Sequence, residues 1–192
     1  MSRLTLRRNF LVRKEMENIM ECMYKNSEDN KSRYILGTKG KNPVFIFGIN
    51  PSTAEPNKPD ATIKKIEKIS QKQGYDSWIM MNVYPVRMTK FAELPKSLDE
   101  SEHQRNIEVI KEQVSKYTEL DVWVAFGNNI LNGARSELIR FWKDIVASLE
   151  GIKINWLATN INKKGTPRHP LYEKDDSTLK PFDMNTFLSD QM

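Results

Sequence analysis

The chain has 192 residues, of which 39% are hydrophobic and 29% charged; this size gives one compact domain, and the aromatic content excludes wholesale disorder. One cysteine, Cys22, excludes an intramolecular disulfide and a four-cysteine cluster, and two histidines make a metal site unexpected. The net charge of +5 favours a polyanionic partner. No apolar run reaches the length of a membrane span. The first residues, Met1 to Arg8, lack the apolar stretch of a signal peptide, so the expected location is the cytoplasm.

Residues 1–40 read as an N-terminal appendage, 41–182 as an α/β core and 183–192 as a tail, all within a single domain. In the appendage, Met16, Ile19, Met20 and Met23 recur at helical spacing and predict an amphipathic helix. Arg33 to Leu36 reads as a short strand turned at Gly37 and Gly40. A continuous apolar run, Val44-Phe45-Ile46-Phe47, predicts a buried parallel strand. The stretch Thr62 to Gln73 carries Ile63, Ile66 and Ile69 and stops at Gly74, which predicts a helix. Asp60 precedes it, either as its cap or as a carboxylate serving the site.

Trp78 to Met81 is the second strand of this rhythm. Ile107, Ile110, Val114 and Tyr117 stripe a helix that Ser97 to Glu100 can cap. His103, in the charged start of that helix, is expected to be solvated. Val122 to Phe126, Glu137 to Leu149 and Ile154 to Leu157 continue as strand, helix, strand. Alternation of this kind implies parallel strands with right-handed crossovers. The expected architecture is a three-layer α/β/α sandwich around a mostly parallel sheet of about four strands.

In such sheets ligands bind beyond the carboxyl ends of the strands. Four segments follow those ends. They are Gly48-Ile49-Asn50-Pro51-Ser52-Thr53, Asn82 to Arg87, Gly127-Asn128-Asn129, and Thr159 to Tyr172 with Pro167-Arg168-His169-Pro170. Each also has a plain structural reading as a turn or helix cap.

Asn50-Pro51-Ser52-Thr53-Ala54, Asp60-Ala61-Thr62-Ile63, Gly74-Tyr75, Asn82 and Pro167-Arg168-His169-Pro170-Leu171-Tyr172 resemble a family of small, mostly bacterial proteins known as a domain of unknown function. That resemblance covers roughly residues 33–182. A more distant one is to the uracil-DNA glycosylase superfamily, whose mismatch-specific branch has the motif Gly-Ile-Asn-Pro, as in Gly48 to Pro51. This second resemblance implies a glycosylase-like fold and hydrolysis of the N-glycosidic bond of a modified or mismatched base, without a cofactor. It gives Asn50 the attacking water and His169 the departing base, and makes them the candidate catalytic residues. Gly48, Ile49, Pro51, Ser52, Asn82, Gly127 and Asn128 are the candidate substrate contacts, with Asn82 reading the base edge. Arg87, Lys163, Lys164 and Arg168 are candidate phosphate contacts, with Leu171 as a wedge into the duplex. The implied partner is DNA. Two alternatives stay open: a non-catalytic nucleic-acid-binding module on the same fold, and a hydrolase of free nucleosides or nucleotides. The sequence departs from the superfamily pattern in four places. Asn50 stands where the most active branch has Asp, Ser52 stands where the mismatch-specific branch has glycine, Leu171 follows His-Pro directly, and no aromatic residue follows Asn50 closely enough to stack on a base.

Overall fold

The computed structural model describes residues 21–191. Seven strands form one mixed sheet: β1 (Cys22–Asn26), β2 (Arg33–Thr38), β3 (Pro43–Gly48), β4 (Ser77–Asn82), β5 (Glu119–Val124), β6 (Lys153–Ala158) and β7 (Lys180–Pro181). Their order across the sheet is β1-β2-β4-β3-β5-β6-β7. The pairings of β4 with β3, β3 with β5 and β5 with β6 are parallel, and the outer pairings are antiparallel. Among the described residues four α-helices follow: α1 (Ala61–Lys72), α2 (Glu100–Val114), α3 (Glu137–Ser148) and α4 (Met184–Ser189).

The sheet is therefore larger than the four strands expected. Residues 22–38, grouped above with the appendage, supply two antiparallel strands of this sheet, and β2 runs through Gly37 instead of turning there. Met23, the last member of the methionine stripe, lies in β1, and the rest of that stripe falls outside the described residues. β7 and α4 also escaped the sequence reading. β7 is two residues long and exposed, so it carries no apolar pattern.

The sheet is buried on both faces because its strands alternate between two apolar clusters. Phe45 and Phe47 of β3 enter one cluster, with residues of α2, α3 and α4. Val44 and Ile46 enter the other, with Ile63, Ile66 and Ile69 of α1. This is the two-residue period of a strand meeting the helical period of its covers. Asp60 caps α1, its Oδ1 accepting the Ile63 N–H at 2.9 Å. Asp99 caps α2 through the Ser101 N–H.

His103 is not solvated. It is fully buried, stacks on Phe141 with ring centroids 3.7 Å apart, and places Nε2 3.0 Å from Asp144 Oδ2. Helix geometry explains this: positions 103, 106 and 110 share one face, and Asn106 and Ile110 are buried with it.

Candidate active-site cleft

Parallel pairing brings the ends of β3, β4, β5 and β6 to one edge of the sheet. Backbone bonds then knit the following segments together. Val83 and Tyr84 donate to the carbonyls of Gly48 and Ile49, and Met88 to that of Pro51. Gly127 donates to Pro167, and Arg168 to Asn160. Between these segments and the start of α1 lies a cleft of about 730 Å³.

Nine of the fourteen sequence candidates line this cleft: Gly48, Ile49, Asn50, Ser52, Gly127, Asn128, Arg168, His169 and Leu171. Pro51, Asn82, Arg87, Lys163 and Lys164 are outside its lining. Pro51 is buried behind it. Lys163 and Lys164 are exposed on the turn between Asn162 and Thr166.

Asn82 sits behind the wall. It is 1% exposed, and both polar atoms of its amide are buried without a partner. Its Oδ1 lies 2.9 Å from where a Cβ on Gly48 would stand, and the Met80 methyl closer still at 2.6 Å. A Cβ at position 48 would have to displace the Met80 methyl and the Asn82 amide, both side-chain ends, and Asn82 is not among the residues lining the cleft. Arg87 points its charge inward as well. Its guanidinium donates to the carbonyls of Ser52 (2.7 Å) and Ala54 (3.2 Å) and to the Tyr24 hydroxyl, so it braces the loop after β3.

Asn50 is held by its amide nitrogen, which donates to the carbonyls of Met88 (2.7 Å) and Pro51 (3.1 Å). These bonds fix the amide's orientation and leave Oδ1 as its free acceptor. His169 follows the β6 segment, and its Nδ1 accepts the Leu171 N–H at 3.2 Å. An accepting Nδ1 puts the proton of a neutral imidazole on Nε2. Burial lowers the His169 pKa, and the Asp60 carboxylate works against that shift without reversing it. His169 is accordingly a neutral N–H donor at pH 7. Gly127 packs against it with φ at +66°, a conformation that favours glycine.

Of the two roles considered for Asp60, the cap is the one seen. It caps α1, and it is the single carboxylate among the residues lining the cleft. Arg33 and Phe91, outside the four strand-end segments, line the cleft too, as does Tyr172, which lies in the last segment but was given no role there. Arg33 was legible as a charge opening an otherwise apolar strand. Phe91 and Tyr172 supply the aromatic surface sought after Asn50, from two other segments. Of the lining residues Leu171 and Tyr172 are exposed at 45% and 68%, and Ile161, next to Asn162 in the chain, at 52%.

Glu173 locks the loop that carries His169. It is buried, and its carboxylate accepts from Thr159 Oγ1 (2.9 Å), Asn160 Nδ2 (2.7 Å) and Ser177 Oγ (3.1 Å). Thr166 similarly joins Asn128 and Asn162.

The fold and site define an α/β protein with a polar cleft at the carboxyl edge of its sheet. The chain belongs to the family described as "Protein of unknown function (DUF1643)", whose model matches residues 33–171. That match begins at Arg33, the first residue of β2, and ends at Leu171, within the His169 loop. No curated protein and no solved structure matches the chain. No helix among the described residues is long and apolar enough to cross a membrane.

Proposed function

We propose that the cleft hydrolyses the N-glycosidic bond of a modified or mismatched base in DNA, on a fold akin to the uracil-DNA glycosylases. The observation that carries this reading is the tautomer of His169. A neutral imidazole with its proton on Nε2 can donate to the oxygen of a departing base as negative charge develops there. Water adds its oxygen to the sugar carbon, the base leaves with the bonding electron pair, and the water's surplus proton must be removed.

Asn50 cannot take that proton, because an amide has almost no proton affinity. With its nitrogen tied to Met88 and Pro51, its Oδ1 can orient the water. Asp60 is the carboxylate available to receive the proton. Phe91 and Tyr172 offer faces on which an extruded base can stack. Leu171, Tyr172 and Ile161 expose apolar surface on the same chain segment as Lys163, Lys164 and Arg168, a combination suited to unstacked nucleic acid.

The test is a single-turnover screen for base release, using oligonucleotides with modified or mismatched bases and the matching free nucleosides. Release from an oligonucleotide, abolished in His169→Ala, is the expected result. Release from free nucleosides alone identifies the small-molecule hydrolase instead. Salt-sensitive DNA binding with no product from any substrate rejects hydrolysis and leaves the binding module.

A further inference from the structure

Arg33 is a charged side chain at 2% exposure with few protein partners. Its Nη1 donates to the Ala54 carbonyl at 3.1 Å, while its Nε is buried with no partner at all. Among the described residues no carboxylate lies within ion-pair distance of it. Guanidinium has five N–H donors, and a buried charge is costly unless paired. The nearby carbonyls do not meet that demand, because Arg33 shares the Ala54 carbonyl with Arg87, which also takes that of Ser52. Burial and the neighbouring Arg87 push the Arg33 pKa down to about 10, so it stays charged at pH 7.

Arg33 lines the cleft, and so does the first turn of α1. The Ile63 N–H is capped by Asp60 Oδ1, and the Lys64 N–H reaches the Asp60 carbonyl. The Ala61 and Thr62 N–H groups, at the first two positions, have no partner within the helix. A helix N-terminus adds partial positive charge where these donors point.

We propose that Arg33 and the first turn of α1 form an oxyanion subsite in the cleft that takes a phosphate group. Phosphate suits both halves: two oxygens can meet the planar guanidinium and a third the Ala61 and Thr62 N–H groups. The group belongs either to a mononucleotide, as a monoester, or to a polynucleotide backbone, as a diester. Asp60 opposes it by its charge and thereby limits its affinity. The subsite does not depend on base release and stands or falls separately from it.

The experiment titrates inorganic phosphate into the nitrogen-15-labelled chain at constant ionic strength and reads the arginine Nε–H resonances, with Arg33 assigned by its loss in Arg33→Lys. The Arg33 resonance shifts saturably. Arg33→Lys, which keeps the charge but loses the fork, weakens phosphate binding by about tenfold or more. Asp60→Asn, which keeps an oxygen to cap Ile63, tightens it. A deoxynucleoside monophosphate and a short single-stranded oligonucleotide are titrated in parallel; whichever gains Arg33-dependent affinity over inorganic phosphate identifies the monoester or the diester. An Arg33 resonance unmoved by all three probes overturns the subsite, as does equal phosphate affinity in wild type and Arg33→Lys. If Arg33→Lys does not fold, the decision falls to Asp60→Asn: tighter phosphate binding supports the subsite, and unchanged binding overturns it.

Discussion

Leu171 donates its backbone N–H to Nδ1 of His169, and this one bond sets the chemistry the imidazole can perform. It leaves the ring proton on Nε2 and favours the neutral form. If that proton stabilises a departing base, His169→Ala lowers the rate of base release by about 10²–10³ while DNA affinity changes little. Because burial lowers the His169 pKa, the donor stays neutral at pH 7, and its contribution is constant from about pH 7 upward. Single-turnover rates against pH, with a separate binding curve, check both points.

Asn50 is anchored by donors that a carboxylate lacks. Asn50→Asp turns an acceptor toward the carbonyls of Met88 and Pro51, where an N–H₂ now donates. The expected cost is about 1–3 kcal/mol of folding stability, measured by urea unfolding near pH 7. Asn50→Asp with wild-type stability would mean that these bonds do not hold the amide.

His103 makes stability pH-dependent. Burial lowers its pKa in the folded protein, with Asp144 working in the opposite direction. The unfolded chain therefore binds a proton at the ordinary histidine value, about 6.5, before the folded chain does. Stability falls as pH drops below about 6.5, until the lower folded-state pKa is passed. His169 adds a slope of the same sign. Asp175, held at about 2 by Lys65 and then Lys68, loses its contribution only in stronger acid. His103→Phe, which keeps an aromatic ring against Phe141, should flatten the slope of unfolding free energy just below about pH 6.5.

Glu173 is a buried carboxylate satisfied by three side-chain donors. Glu173→Ala strands the hydroxyl of buried Thr159 and should cost about 1–3 kcal/mol. Faster amide exchange at residues 159–172 is the accompanying sign, because these bonds tie the loop to its own base.

The basic side chains divide by accessibility. Lys163 and Lys164 are exposed, so replacing either with Ala reduces the log–log salt slope of DNA binding by about 0.7–0.9 if it touches a phosphate. Arg87→Ala leaves that slope unchanged and lowers the melting temperature, since its donors brace the Ser52 and Ala54 carbonyls.

The central rhythm of this fold was legible in the sequence. Val44 to Phe47 is apolar at every position because a parallel strand is buried on both faces, and Ile63, Ile66 and Ile69 mark the one face that α1 covers. Asn50 and His169 were legible as residues of one cleft because chain topology alone sends the ends of parallel strands to one edge. Tertiary structure decided the rest. β1 and β7 depend on pairing partners, and such short strands have no pattern of their own. Asn82 and Arg87 occupy strand-end segments as expected, yet their side chains turn inward, toward a missing Cβ at Gly48 and toward the carbonyls after β3. Arg33 reaches the cleft from an antiparallel strand outside the repeating pattern. Sequence periodicity reports which face of an element is buried, whereas the partner that a buried polar group finds is set by residues far along the chain.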